Sequence, residues 1–430
     1  MPAWPEIVLS RSESAAPKGM QAHLDQLTHG SNLRGGLELL HRERNWINEQ
    51  HLRICRVAAP TFREQLRAEF LCTLFRELGH RATIDDAGNV VVPIMFDEEL
   101  PFVAVSAHMD TVLAPQAEEE ISVRPDGTFE GPGVTDNGPG LAAVVALARV
   151  FTNGPPVHEP RCNVLLMANV AEEGEGNLQG MKYFCSHSRY ASSVHAYLVL
   201  DGASTGHITA EALGSRRFEI VIEGAGGHSW NDYGRANPVH ALGRTISYLA
   251  ELPLPSTPRT TLNVGVIEGG SGVNSIAPVA CAKVDIRSRD NEAMNAVVRS
   301  MEDGVRFGVE AENRASRERL AGYKIREIGH RPAALFQAEN PVLACVRGVD
   351  AYLGINSRLD CASTDANIPL ALGRPAVALG AGGRGGGAHS PGEWYHPEGR
   401  ELGLQRILLS LALLLEDSSR SPGPADAERP

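Results

Sequence analysis

The sequence predicts a mixed α/β protein: a mixed sheet covered by helices on both faces, with an inserted ferredoxin-like α+β unit. Three observations predict it. Short runs are apolar at almost every position, FVAVSA (102–107), NVLLMAN (163–169), AYLVL (196–200) and PAVALG (375–380), and helical stretches such as GLAAVVALARVF separate them. Strands without a polar face belong to a sheet closed on both sides. Over residues 213–330 the rhythm changes to strand, helix, strand, strand, helix, strand. At 430 residues the chain is also long enough for two or three domains, taking roughly 150 residues for each.

In chain order, residues 1–35 are mixed polar and are expected to be loosely held. APTFREQLRAEFLCTLFRELGH reads as a helix, with Thr61 and Glu64 at capping-box spacing and Gly79 at the stop. The four apolar strands follow, three before the insertion and PAVALG after it. Inside the insertion, RRFEIVIEG, TTLNVGVIEG, PVACAKVDIRS and YKIREIG are strand-like, while PVHALGRTISYLAEL and NEAMNAVVRSMEDGVRFGVEAENRA are helical. We therefore divide the chain into a catalytic domain over 36–212 and 331–416, a lid or dimerisation domain over 213–330, and a disordered tail from 417 to 430.

Composition narrows the function. Forty Lys and Arg against 52 Asp and Glu give a net charge of -12, which argues against a nucleic-acid partner. The seven cysteines are scattered without a CxxC pair, so neither a disulfide framework nor a structural zinc knot is expected. Pro2, Pro5 and Glu6 do not read as a secretory signal. The longest greasy segment, Ile407 to Leu415, is far short of the ~20 residues a membrane span requires. The expectation is a soluble, reduced, cytoplasmic protein.

Each apolar strand ends in a potential metal ligand or leads to one. FVAVSA runs into His108 and Asp110, NVLLMAN reaches Glu172 and Glu173, AYLVL ends at Asp201, and PAVALG leads through glycines to His389. Asp136, in GPGVTDNGPG, stands just before a helix. Open α/β sheets bind ligands beyond the carboxyl ends of their strands. Imidazoles and carboxylates without thiolates suit zinc, and also cobalt or manganese. One ligand from each of the four strand ends, with Asp136, makes five, which exceeds one open catalytic zinc but suits two metals if one carboxylate bridges.

AHMDT, GVTDNGPG, AEEGEG, LDG and GGAHSPGEW together resemble the motifs of the co-catalytic dinuclear zinc exopeptidases, the family of aminoacylases, glutamate carboxypeptidases and tripeptide aminopeptidases. GSRRFEI and GGRGGGAHSPGEW look closest to the tripeptide aminopeptidase-like branch. The resemblance spans about residues 37–416. It implies His108 and Asp201 on one metal, Glu173 and His389 on the other, and Asp136 between them. It implies Asp110 as a partner of the His108 imidazole and Glu172 as the general base on the attacking water. In the lid it implies substrate contacts from His228, often supplied by a partner subunit, and from Asn274 and Arg287. One departure is that Asp136 is followed by Asn-Gly-Pro-Gly, where many carboxypeptidase-type members have Lys-Gly-Gly.

Plainer readings stand beside these. His228 could be a turn residue, Asn274 a turn cap and Arg287 half of a surface ion pair with Asp285. Asp365 reads as a helix cap and EEE (118–120) as solvated surface. GAGGRG (380–385) fits a dinucleotide fingerprint formally, but no helix opens on it, so it reads as a loop. The expectation is a metal-dependent hydrolase of short peptides or N-acylated amino acids. It would be most often an aminopeptidase, a homodimer through the lid, and loaded with two divalent ions. An acylamino-acid amidohydrolase or carboxypeptidase is the alternative, and a catalytically inactive metal-dependent binding protein a remote one.

Overall fold

The structure, a computed structural model, describes residues 18–318 and 320–416. The expected disordered tail and the first 17 residues of the expected loose extension lie outside the described residues. Residues 18–35 correct the expectation for that extension. Helices Lys18–His29 and Ser31–Arg42 sink Leu24 and Leu33 into the main core, because their apolar residues recur at helical spacing.

Eight strands form the main sheet. Their spatial order is Thr83–Ile84, Val90–Ile94, Asn163–Asn169, Phe102–His108, Val194–Leu200, Ala376–Leu379, His207–Ala212 and Arg358–Ala362. The four central strands are mutually parallel, so their carboxyl ends open on one edge. Their flanking neighbours, Val90–Ile94 and His207–Ala212, run antiparallel to them, which makes the sheet mixed. Alternate residues face two cores. Val103, Val105 and Ala107 pack with helices Gly138–Phe151 and Arg400–Glu416, while Phe102 and Ala104 pack with Met181 and Phe184 of helix Gln179–His187.

A separate four-stranded antiparallel sheet has the order Thr260–Gly269, Val279–Ser288, Gly214–Glu223, Gly322–Arg331. Helices Pro238–Ala250 and Asn291–Ala315 pack on it around Phe218, Ile220, Val284, Met301 and Val305. This is the ferredoxin-like βαββαβ order. Among the described residues, no helix is long and apolar enough to cross a membrane.

The capping-box reading of Thr61 and Glu64 is wrong. The helix begins at Gln65, and Phe62 sits at φ 71. The Glu64 carboxylate accepts from the N–H of Phe62 and of Ala171, each at 3.0 Å, and Thr61 donates to Asp110 Oδ2 at 2.9 Å. Both side chains therefore tie this loop to the segments carrying Asp110 and Glu172. The spacing is that of a cap, but the nearest orphan donors belong to another part of the chain.

Candidate active site

The parallel strands deliver the candidate residues to one place. His108 closes its strand and is 3% exposed. Its Nδ1 faces the Asp110 carbonyl at 3.0 Å and the Asp110 carboxylate at 3.6 Å. A proton on Nδ1 is used there, which leaves the Nε2 lone pair for a cation. Nε2 lies 3.0 Å from Asp136 Oδ1 and 3.9 Å from Asp201 Oδ1. On the other flank, His389 Nε2 lies 3.1 Å from Asp136 Oδ2 and 2.6 Å from Glu173 Oε1. The two oxygens of Asp136 thus address two different imidazoles.

These contacts define the fit to metal. The trios His108, Asp136, Asp201 and Asp136, Glu173, His389 each bring their ligand atoms within 4.8 Å of one another, and Asp136 belongs to both. That donor set suits two borderline cations joined by one carboxylate. A further trio of His108, Glu172 and Glu173 meets the same limit. Neighbouring residues of an extended strand would point apart, and these two glutamates do not. The strand has ended at Asn169, Ala171 takes φ 54, and both carboxylates enter the same cleft.

The loop geometry has identifiable causes. Asp110 Oδ1 accepts from Glu172 N and Oδ2 from Glu173 N, both at 2.9 Å, so one carboxylate orients His108 and pins the Glu-Glu backbone. Asn137 caps helix Gly138–Phe151 through Gly140 N at 3.2 Å. It also binds Leu200 O at 2.8 Å and Gly202 N at 3.2 Å, locking the Asp136 loop to the Asp201 loop. A Cβ on Gly140 would lie 2.4 Å from Asn137 Oδ1, and one on Gly138 would lie 2.3 Å from His51 Nε2. The Asn-Gly-Pro-Gly run is therefore a packing solution around this cap. Glu393 completes the loop by accepting from the N–H groups of Gly133, Thr135 and Asp136 at 2.8–3.0 Å.

Charge is concentrated where water is scarce. Burial, followed by the neighbouring Asp136 charge, lifts Asp201 to about 7. Burial also raises Glu173 and holds Glu172 well above the usual carboxylate range, with the Arg331 guanidinium opposing it. For His108 burial works against the proton, but bonds to Asp110 and Asp136 and the Asp201 charge outweigh it and hold the imidazole well above its ordinary value. The bond to Asp136 raises His389 to about 9, against burial and with help from Glu173. Asp136 is drawn down by both histidines although burial opposes this. Cations bound here would relieve the repulsion among these carboxylates.

Two groups were missed by the sequence reading. Arg331, at the end of the last lid strand, places Nη1 3.0 Å from Glu172 Oε1 and also donates to the Glu172 carbonyl. Arg217 joins Arg287 at the cleft wall, and Asp285 holds both, at 3.1 Å and 2.7 Å. Neither arginine stands in a motif that names its partner. Arg287 is paired with Asp285, as the plainer reading expects, and also lines the cleft. Asp365 is not a cap: it lies 1% exposed, takes a bond from Asn169, and burial lifts it to about 6. The 118–120 glutamates form an exposed 3₁₀ turn. His228 and Asn274 are not brought into the cleft: they sit together on the lid, where Ser229 N bonds Asn274 O at 2.9 Å. His228 is exposed, and its Nδ1 accepts from Trp230 N at 3.2 Å.

Comparison with known proteins places this geometry. The model of Peptidase family M20/M25/M40 matches residues 104–412. A tripeptidase from Staphylococcus aureus is similar in structure, with TM-score 0.71 at 21% identity, covering 86% of this chain and 98% of that one. At that identity the likeness is one of fold. A probable carboxypeptidase from Ajellomyces capsulatus is 26% identical over 207 residues, which are 44% of this chain and 45% of the relative. A succinyl-diaminopimelate desuccinylase from Bordetella petrii is 25% identical over 193 residues, 41% of this chain and 50% of the relative. The chain spans about half the length of the curated relatives it matches.

Proposed function

This chain belongs to peptidase family M20/M25/M40, and from that premise we propose that it is an aminopeptidase of short peptides using two divalent ions, with zinc as the native metal. It is a hydrolase of the metallopeptidase and amidohydrolase kind. The observation that carries the dinuclear reading is Asp136, whose two oxygens each address a different histidine. His108 and Asp201 would hold one ion, Glu173 and His389 the other, and Asp136 both. When bound, such ions supply Lewis acidity to the scissile carbonyl and to the attacking water.

The chain's own residues do the rest. Glu172 takes a proton from the attacking water on its carboxylate and returns it to the departing amine nitrogen. Arg331 orients that carboxylate. Arg287, fixed through Nε by Asp285, turns its terminal nitrogens to the substrate carboxylate. We assign His228 and Asn274 to a partner subunit's site, in a homodimer formed through the 213–330 lid. Supporting this are the exposure of His228 and of Trp230 and Tyr233 beside it, at 84% and 80%. The acidic balance disfavours a nucleic-acid partner, and we place the protein in the cytoplasm.

A turnover panel tests the reading. Protein loaded with zinc, cobalt or manganese is given free tripeptides, N-acetyl amino acids and peptides ending in glutamate. Release of the first residue from tripeptides is expected. Exclusive cleavage of acylated amino acids or of C-terminal residues would transfer the assignment to the amidohydrolase or carboxypeptidase reading, which the names of the curated relatives favour.

A further inference from the structure

The metal-ligand cluster opens into two cavities, and their charge differs. The lid-side cleft, about 310 Å³, carries Arg217, Arg287 and Arg331. A second cavity of about 480 Å³ shares Asp136 and Asp201 with it. That volume lies within the range of ligand pockets. No lysine or arginine lines it among the described residues. Its walls are made of small side chains, such as Ala203, Ser204, Thr209 and Ala362, and the backbone of Gly385–Gly387 closes one side.

Two titratable groups other than the metal-ligand candidates line this space, His207 and Asp360. They come from neighbouring parallel strands, with Arg358 paired to His207 and Asp360 to Thr209. His207 Nδ1 stands 4.0 Å from Asp360 Oδ2, and both side chains are about half exposed, at 52% and 50%. Asp360 Oδ1 accepts from the N–H of Cys361 at 2.7 Å. The backbone thus fixes one oxygen and leaves the other to the cavity mouth.

We propose that this second cavity receives the amino-terminal residue of the substrate, and that Asp360 selects a cationic side chain there over an acidic one. The assignment rests on the aminopeptidase reading. With the substrate carboxylate drawn to the arginines of the cleft, the amino-terminal residue extends into the cavity that lacks them. Small walls admit a long unbranched side chain. Asp136 and Asp201 would be neutralised by the ions they hold, which leaves Asp360 as the anion to read the incoming charge. A lysine or arginine meets that carboxylate at the mouth, and a glutamate meets like charge.

The test uses metal-loaded protein and three tripeptides that differ only in their first residue: Lys, Leu or Glu. The kcat/KM of each is measured for the wild type, Asp360→Asn and Asp360→Lys. Each value is taken relative to the Leu peptide on the same preparation, so a loss of folded protein cancels. Exposed charge pairs are worth factors of about 2–5, so Lys should exceed Glu by about tenfold in the wild type. Asp360→Asn should bring the two within about threefold, and Asp360→Lys should invert them. A Lys-to-Glu ratio that ignores both substitutions overturns the pocket assignment while leaving the aminopeptidase reading intact. Cleavage of N-acetyl amino acids with no turnover of any free tripeptide overturns both.

Discussion

In the main sheet, strands Phe102–His108 and Asn163–Asn169 are buried at all seven of their positions. In the lid sheet, Gly214–Glu223 and Val279–Ser288 alternate buried and half-buried residues, because both lid helices cover the same face. The difference separates two tasks. A sheet closed on both sides offers, at the ends of its parallel strands, sites where water is scarce and burial shifts carboxylates strongly, as at Asp201 and Glu172. A sheet with one open face offers long polar side chains that can reach across a cleft. Arg217, Arg287 and Arg331 stand on lid strands and reach the cleft from there.

The largest expected effect lies on the closed side. Glu172→Gln should lower turnover by ~10²–10⁴-fold, the usual worth of a general base. Elemental analysis should still find two metals per chain. Near-normal activity in this variant would refute the mechanism, and loss of a metal would show that Glu172 and Glu173 have exchanged roles.

Arg331 is where the two sheets meet chemically. Its side chain and that of Glu172 are each 6% exposed, so Arg331→Ala strands a buried carboxylate. Breaking such a pair costs about 3–5 kcal/mol. Denaturant unfolding should register that loss, and kcat should fall more than KM rises. Arg331→Lys should recover part of kcat, and equal behaviour of the two variants would reduce Arg331 to a purely structural residue.

Metal stripping should act on one sheet only. Chelation should lower the melting temperature of the main unit, since ligand at 100 times its Kd stabilises by about 2.7 kcal/mol. Glu173→Gln should bind about one metal per chain and regain some activity in excess zinc, whereas unchanged metal content would remove Glu173 from the ligand set.

The smallest effect belongs to the lid. A Cβ on Gly308 would lie 2.2 Å from Thr245 Oγ1 and 2.7 Å from Ala241 O. Gly308→Ala should therefore destabilise by about 1–3 kcal/mol through overpacking. It should leave metal content untouched, and calorimetry that finds the variant as stable as the wild type would show that the two helices can part at no cost.

Much of this was legible in the sequence. The βαββαβ order of the lid and the four buried strands follow from apolar periodicity, which is local information. That His108, Glu173, Asp201 and His389 would converge was legible because parallel strands of one sheet must end at a common edge, whereas Asp136, ahead of a helix, was a candidate through its motif. Tertiary structure decided what depends on distant partners. Thr61 and Glu64 have the spacing of a cap, yet their bonds go to Asp110 and Ala171. Asp365 reads as a cap, yet packing buries it against Asn169. The Glu172 side chain points where a left-handed Ala171 and the Asp110 carboxylate send it, not where strand alternation would. Arg331 finds Glu172 across 159 residues of chain. Periodicity reports which face of an element is apolar; it carries no record of which polar groups are left without water, and those choose their partners only when the two sheets close on one another.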